Sequence, residues 1–366
     1  MNRLTFGILT TAVAVTSSRA DAYVLKKTTN GELVRWSETK IALAVDSSVT
    51  HADANAADAV RAGADHWNQK ATGAPYVNVT DSTKSLEPGY DHVNSVLFRE
   101  SFAPAGKAIA VTVLTYDDKS GEIVDADIVI SGKYEYNTSE QIEAGRYDLR
   151  HVVAHELGHS LGLGDEAALE DALMFGYTKS GDVSRREPSE DDIEGVTAIY
   201  ANQPGASASG GCNAAMGSRG ATGPYALGLL FGVVFYGVAR RKNRFLAATP
   251  LAIAAFTGFA AQAAPEPSTD VRSAHYVTAE VTKSESSWQG GMLRTRIVLA
   301  PKGCAADCPS EIVEEIWGGH KDGFIQEIAG EQVPEQGESV KLSMSAGKLS
   351  RVLSSPHFTA RFAHRK

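Results

Sequence analysis

The chain has 366 residues, of which 43% are hydrophobic and 22% are charged, and its formal net charge is −9 at pH 7. This length is enough for two globular domains together with membrane segments. Residues 23–203 contain 16 Lys and Arg against 30 Asp and Glu. The excess of acidic residues argues against binding to nucleic acid. It favours an attraction for cationic peptides, which salt at physiological concentration weakens.

The first 22 residues are predicted to be a secretory signal peptide. A basic start is followed by an apolar stretch over residues 4–15 and then by the small-residue pattern Ala20-Asp21-Ala22. This order of parts is typical of a signal peptide that is cleaved after its A-x-A site, here before Tyr23. A buried helix is the less favoured alternative at the extreme N-terminus. The remainder of the chain is therefore expected to be exported.

Residues 121–130 are predicted to form a β-strand, because their apolar and acidic side chains alternate. The alternation places Asp125 and Asp127 on one face and the apolar side chains on the other. The segment before it, residues 115–123, is predicted to be a hairpin turn. A Ca²⁺ site is a less favoured alternative there, since a full oxygen cage needs more ligands than this turn offers. The acidic residues of the turn are Asp117, Asp118 and Glu122.

The run HELGHSLGLGD, residues 155–165, is the most informative feature of the sequence. On a helix of 3.6 residues per turn, His155 and His159 lie one turn apart on the same face, so that both imidazoles can reach one metal ion. Glu156 lies beside them and is placed to act as a base toward a metal-bound water. The run therefore predicts a zinc hydrolase site.

The helix that carries this motif is predicted over residues 148–161. Apolar residues recur there at helical spacing, and Asp148 is a plausible N-cap. His151 continues the same stripe, but the helical rise places it about 12 Å from His159 along the axis. This separation is too large for the two to share one ion, so His151 is interpreted as a histidine that packs beside the site.

Gly162 is predicted to end the helix, because glycine adopts the positive φ that turns the chain back. The turn would bring Asp165 toward the ion as the third ligand. No histidine lies between His159 and His275, so a nearby third ligand has to be a carboxylate, and Glu166 is the second choice. Zn²⁺ accepts carboxylate oxygen as well as imidazole nitrogen; Fe²⁺ fits this ligand set less well.

Together these motifs resemble the metzincin clan of zinc endopeptidases and, within it, the matrixin-like bacterial enzymes. The resemblance covers residues 23–203 and implies an α+β catalytic domain with a twisted, mostly parallel mixed sheet, an active-site helix and a closing helix over residues 187–200. It also implies an early helix over residues 57–69, an edge strand over residues 121–130 that pairs with an extended substrate, and Met174 as an apolar floor below the metal.

Two features depart from the usual pattern of the clan. The third ligand of metzincins is usually a histidine, whereas this position holds Asp165, as in the smaller subgroup that resembles snapalysins. Matrixins usually have Pro and then Tyr after the Met, whereas Phe175-Gly176-Tyr177 follows Met174 here. The preference for particular substrate side chains therefore cannot be transferred from the family.

The resemblance implies an exported zinc-dependent endopeptidase that acts on peptides or proteins. Glu156 would accept a proton from a metal-activated water and pass it to the leaving amine. Tyr177 would either bind the oxyanion or form a pocket wall. The alternative is a non-catalytic surface protein of the same fold that binds a partner or an envelope component, but a purely structural metal site needs no base beside its ligands. The metal ligands would be His155, His159 and Asp165.

The composition changes after the closing helix. Residues 204–223 are rich in Gly, Ala and Ser, which predicts a linker. Residues 224–264 contain two apolar stretches separated by a basic cluster and are predicted to be a membrane hairpin, with a buried helix pair as the less favoured alternative. The order of Cys212, apolar span and basic cluster also resembles the sorting tags of bacterial surface proteins, and the second stretch resembles a second signal peptide. We expect attachment to a bacterial cell envelope or cell surface, with release as an alternative.

Residues 265–366 are predicted to be a small β-rich domain of unknown function, because strand-like runs alternate there with Gly and Pro turns. Cys304 and Cys308 are predicted to form a small disulfide loop if this domain is exported. A second metal site at these cysteines is less favoured, since no histidine cluster lies nearby.

Overall fold

The computed structural model describes residues 23–201, 275–303, 309–328, 333–345, 348–353 and 363–364. These residues all belong to one of the two compact units of the chain, which comprises residues 1–207 and 272–366. The predicted signal peptide, linker, membrane segment and Cys304–Cys308 pair lie outside the described residues. Within the described ranges, no helix is both long enough and apolar enough to span a membrane.

Residues 23–201 contain three α-helices, two short 3-10 helices (Ser47–His51 and Ala103–Ala105) and eight strands. The α-helices are α1 (Ala56–Lys70), α2 (Leu149–Ser160) and α3 (Glu190–Tyr200). The strands are β1 (Lys40–Val45), β2 (Tyr76–Asp81), β3 (Ser95–Arg99), β4 (Ala110–Asp117), β5 (Ile123–Ser131), β6 (Glu135–Asn137), β7 (Arg146–Asp148) and β8 (Tyr177–Thr178). All three predicted helices are present, and each begins and ends within three residues of its predicted bounds.

The first five strands form a mixed sheet in the order β2-β1-β3-β5-β4. β1 runs parallel to β2 and β3, and β3 runs parallel to β5, whereas β4 is antiparallel to β5. β6 and β7 form a separate parallel pair. A mixed sheet accompanied by a few separate helices is an α+β arrangement.

The prediction that residues 121–130 form the edge strand is wrong. β5 lies between β3 and β4, with Ile128 opposite both Val96 and Thr112. The two edge strands of the five are β2 and β4, and β4 is the other arm of the hairpin. The acidic face of β5 is not exposed either, because Asp125 and Asp127 are both buried. Their carboxylates accept hydrogen bonds from backbone N–H groups of residues 89–92, which compensates for the loss of water.

Helices α1 and α2 pack closely together in the main hydrophobic core. A Cβ atom at Gly63 of α1 would lie 3.2 Å from a methyl group of Leu157 in α2, so glycine allows the two helices to approach. The buried Trp67 of α1 donates from Nε1 to the carbonyl of Ala154 at 2.8 Å. At the other end of α2, Trp36 donates to the carbonyl of Ser160 at 2.8 Å. These contacts fix the position of α2 beneath the sheet.

The described residues of the C-terminal part form strands, in agreement with the strand-like runs predicted there. The strands are β9 (His275–Gln289), β10 (Met292–Lys302), β11 (Ile312–Trp317), β12 (Gly319–Lys321), β13 (Phe324–Ile328), β14 (Ser339–Ser345), β15 (Lys348–Leu353) and β16 (Ala363–His364). Five of them form an antiparallel sheet in the order β11-β10-β9-β14-β15. β12 and β13 instead extend the first sheet beyond β4 to seven strands, and β16 pairs with β8.

Candidate metal centre

The two ends of α2 determine where the residues of the run HELGHSLGLGD lie. The side chain of Asp148 accepts a hydrogen bond from the N–H of Arg150 at 3.1 Å, so it caps the first turn as predicted. Gly162 has φ +97°, and a Cβ atom there would collide with the carbonyl oxygen of Val34. Only glycine fits both the conformation and the space. The helix therefore stops immediately after its second histidine, and the chain returns with Asp165 toward the helix.

His155, His159 and Asp165 converge. Each offers one ligand atom, and these atoms all lie within 4.8 Å of one another. The Nε2 atoms of His155 and His159 lie 3.2 Å and 3.4 Å from the same Oδ1 atom of Asp165. All three side chains are buried. This set of three donors can hold one zinc ion and leaves a coordination position for water or substrate.

Hydrogen bonds orient the two imidazoles. His155 donates from Nδ1 to the carbonyl of Leu173 at 2.8 Å, and His159 donates from Nδ1 to the carbonyl of Leu163 at 2.9 Å. A carbonyl only accepts, so each Nδ1 carries the proton and each Nε2 presents its lone pair toward Asp165. This is the arrangement that metal-binding histidines adopt, with one nitrogen held by the protein and the other available to the ion.

Asp165 has the properties of an anionic ligand. Among the described residues, neither of its buried oxygens has a partner that meets hydrogen-bond geometry, which is costly for a carboxylate unless a cation binds it. Burial raises the pKa of Asp165, but the interactions with the His159 and His155 imidazoles together outweigh this effect and lower the pKa to about 2. Burial likewise lowers the pKa of His159, but the Asp165 carboxylate outweighs it and the net pKa is raised. The donor set therefore fits a divalent cation such as zinc.

A residue of the sheet holds the side chain of Glu156 in place. It is buried, and its Oε2 atom accepts a hydrogen bond from the hydroxyl of Thr112 at 2.7 Å. The same hydroxyl lies 3.0 Å from the backbone carbonyl of Glu156. Thr112 belongs to β4, so the edge strand and the base are in direct contact. Thr112 could not be predicted from the sequence, because its distance from Glu156 depends on the tertiary packing of β4 on α2.

Met174 lies under the helix and is almost completely buried. A Cβ atom at Gly158 would collide with its sulfur atom, so the glycine inside HELGH makes room for the methionine. The N–H groups of Leu173 and Met174 donate to the carboxylate of Asp192 at 2.9 Å and 3.1 Å. Asp192 also forms a capping box with Ser189 at the start of α3. Asp192 was not predicted as a site residue, although the pattern Ser-x-x-Asp at this point is a signal for a helix start.

Tyr177 lines a cavity, and its two predicted roles, oxyanion binding and a wall of the substrate pocket, stay predictions. With Phe175, Thr178 and Arg185 it lines a cavity of about 150 Å³. The Arg185 guanidinium donates to the carbonyl of Tyr177 at 2.9 Å and lies over the Phe175 ring at 5.4 Å. The residues after Met174 therefore form one side of this cavity, and the buried guanidinium of Arg185 lies against them.

Five further candidate residues lie outside the triad. His151 is buried with Nδ1 at 3.3 Å from the hydroxyl of Thr178, and burial lowers its pKa well below the usual value. Glu166 accepts hydrogen bonds from backbone N–H groups of its own loop. Of the acidic turn, Asp117 accepts from the N–H of Ser120 at 2.7 Å and Asp118 lies 2.7 Å from His320. The side chain of Glu122 contacts Ser37. Calcium binding there stays a prediction.

Comparison with known proteins agrees with this geometry. The family model for matrixins matches residues 35–201. The chain is similar to the metalloendoproteinase 5-MMP of Arabidopsis thaliana, with 46% identity over 57 residues that cover 16% of this chain and 15% of the relative. It is 48% identical to interstitial collagenase of Bos taurus over 54 residues, 15% of this chain and 11% of the relative. It is 27% identical to the hatching enzyme of Paracentrotus lividus over 141 residues, 35% of this chain and 23% of the relative.

The chain spans less than a quarter of the length of each of these relatives. Residues 35–201 are therefore similar to the matrixin family, and the mixed sheet with few helices is the α+β arrangement that this similarity implies.

Proposed function

We propose that this protein is an exported zinc-dependent endopeptidase that hydrolyses peptide bonds in peptides or proteins, with Glu156 as the general base. The observation that carries the proposal is the convergence of three ligand atoms from His155, His159 and Asp165 within 4.8 Å of one another. The two histidines belong to a helix that also carries the buried carboxylate of Glu156. A structural metal site has no use for that additional carboxylate.

Each residue has a defined task in the proposed reaction. Zinc bound by the triad would polarise the scissile carbonyl and make a water molecule more acidic. Glu156 would accept the proton of that water and deliver it to the leaving amine. Thr112 holds Glu156 by its 2.7 Å hydrogen bond and so limits the positions in which the base can lie. The carbonyls of Leu173 and Leu163 keep the two imidazoles in the tautomer that binds metal.

The location and the subgroup are part of the proposal. The basic start, apolar stretch and A-x-A site of residues 1–22 support export, and the apolar stretches within residues 224–264 support attachment to a membrane. Cys212 and the basic cluster support a sorting-tag-like segment in a bacterial cell envelope or at a cell surface. Asp165 in place of a third histidine supports the snapalysin-like variant of the site.

The test compares the purified full-length protein with its Glu156→Ala and Glu156→Gln variants, using denatured casein as substrate with and without a zinc chelator. The proposal predicts cleavage by the wild type that the chelator abolishes and that zinc restores. Both variants should retain zinc and lose at least about 10³-fold in cleavage rate. Zinc binding without cleavage by any of the three proteins would favour the alternative of a non-catalytic binding protein.

A further inference from the structure

The edge of the catalytic sheet is covered by the C-terminal strand β13. β13 pairs antiparallel with β4, from Phe324 opposite Asp117 to Ile328 opposite Val113. Sheet edges present unpaired N–H and C=O groups, and an extended peptide binds to such an edge by adding a strand. One edge accepts only one strand at a time. Whatever else pairs with residues 113–117 of β4 has to displace β13.

The part of β4 that β13 covers ends next to the residue that contacts the general base, Glu156. Thr112, the next residue of β4 beyond the pairing with β13, donates to Glu156 at 2.7 Å. Because the pairing is antiparallel, β13 runs toward this point, and its last residue lies opposite Val113. In the described part of the chain, no strand pairs with residues 110–112 on this side. A peptide that runs in the direction of β13 would place the residues before its scissile bond along residues 113–117.

Buried polar groups hold β13 in this place. Glu327 is almost fully buried and forms an ion pair with the equally buried Lys26 at 3.0 Å. It also accepts a hydrogen bond from the hydroxyl of Tyr116 at 2.5 Å. On the opposite face of the strand, Gln326 donates to the hydroxyl of Thr115 at 3.1 Å and accepts from the N–H of Leu293 at 2.7 Å. Such pairs specify one register, because any shift leaves a buried charge without its partner.

The antiparallel C-terminal sheet also rests on the loop beside β4. The Tyr90 ring lies 5.0 Å from Phe324 and 5.7 Å from Trp288, and the N–H of Tyr90 donates to the carbonyl of Gly291 at 2.8 Å. On the other side of the site, β16 pairs in parallel with β8, the strand that contains Tyr177. Strands from the C-terminal part therefore pair with two backbone segments next to the metal centre.

We infer that β13 is an internal competitor of the substrate: it occupies the stretch of β4 on which the residues before the scissile bond would bind, and holds the full-length protein in a state of low activity. The inference rests on the proposed function. Activation then requires that β13 leaves β4. Since the apparent affinity of a binding site scales with the fraction of molecules in which it is accessible, release of β13 raises activity by exposing residues 113–117 of β4.

The test reverses the charges of the buried ion pair in the full-length protein. Lys26→Glu and Glu327→Lys each place like charges side by side and should release β13, whereas the double variant restores opposite charges and is the matched control. Hydrogen exchange at residues 113–117 reports the release directly. We expect each single variant to cleave denatured casein at least about tenfold faster than the wild type, and the double variant to return close to the wild-type rate. Glu327→Gln, a milder change, replaces any single variant that does not fold.

Two outcomes overturn the inference. One is faster hydrogen exchange at residues 113–117 without faster cleavage, and the other is a double variant that stays as active as the single ones. If none of these proteins cleaves casein, the inference is tested instead by the binding of a labelled peptide with the sequence of residues 321–330. If this peptide binds to Glu327→Lys but not to the wild type, the inference that β13 competes for β4 is supported. In that case the absence of casein cleavage counts only against the proposed peptidase activity. Failure to bind the released variant contradicts the competition itself.

Discussion

Replacing Asp192 by alanine tests how the closing helix supports the metal centre. The Asp192 carboxylate is buried and accepts hydrogen bonds from the N–H groups of Leu173 and Met174 and from the N–H and hydroxyl of Ser189. The carbonyl of Leu173 in turn accepts from Nδ1 of His155. Asp192 is therefore linked to a metal ligand through one residue of backbone.

The magnitude follows from the groups that lose their acceptor. Each buried N–H left without a partner costs about 1–3 kcal/mol, and loss of the capping box costs about 1 kcal/mol. Allowing for partial relaxation, we expect Asp192→Ala to lower the free energy of unfolding by about 4 kcal/mol. Asp192→Asn keeps one acceptor oxygen and should lose about half as much. Loosening of the segment that orients His155 should weaken zinc binding by about 10- to 100-fold.

The assay combines urea unfolding, followed by circular dichroism, with zinc affinity measured by competition against a chelator. Glu194→Ala is the matched control, because Glu194 is an exposed acidic residue of the same helix, and it should change stability by less than about 0.5 kcal/mol. The reasoning is refuted if Asp192→Ala costs no more than this control, or if it destabilises the protein but leaves the affinity for zinc unchanged.

Three further predictions concern other residues. Thr112→Val should lower kcat/KM for casein by about tenfold with zinc content unchanged, since Glu156 loses its donor; an unchanged rate contradicts this role. Gly158→Ala should cost about 1–3 kcal/mol in urea unfolding, because the new methyl group meets the Met174 sulfur; a neutral effect speaks against that packing. Burial raises the pKa of Asp125 from 3.8 to about 6, so its contribution to stability is present below pH 4 and lost as the pH rises through 6. Relative to Asp125→Asn, the wild type should lose on the order of 2 kcal/mol of unfolding free energy between pH 4 and pH 7. If the unfolding free energies of the two proteins change with pH in the same way, this explanation is wrong.

Local patterns were enough to predict the helix that carries the site. The spacing of the apolar residues, Asp148 at the start and Gly162 at the end all act within a few residues of the chain, and the structure has α2 at the predicted place. The three candidate ligands also lie within eleven consecutive residues. Once the turn at Gly162 is recognised, the backbone has few ways to keep Asp165 away from the two histidines.

The order of strands could not be predicted in the same way. Both arms of the hairpin, β4 and β5, are buried β-rich runs, and the choice of the edge strand depends on hydrogen bonds to β3 and β13 elsewhere in the sequence. The alternation predicted that Asp125 and Asp127 lie on one face of β5, but not that both are buried under residues 89–92 and stabilised there by backbone N–H groups. No local rule distinguishes such carboxylates from exposed ones.

The supporting residues of the site were missed for a related reason. Thr112 and Asp192 are separated from the residues they hold by 44 and 18 or 19 positions, and neither stands in a recognisable catalytic motif. The covering of β4 by β13 brings together residues 211 positions apart, such as Tyr116 and Glu327. Contacts at such separations arise from packing, so only the folded chain reveals them.

The most direct test of the central claim is a zinc titration of the full-length protein and its Asp165→Ala, Glu166→Ala and Glu156→Ala variants. The account predicts one tightly bound zinc ion in the wild type, in Glu166→Ala and in Glu156→Ala, and a loss of tight binding only in Asp165→Ala. A wild type that binds no zinc, or an Asp165→Ala variant that binds it as tightly as the wild type, would contradict the proposed centre.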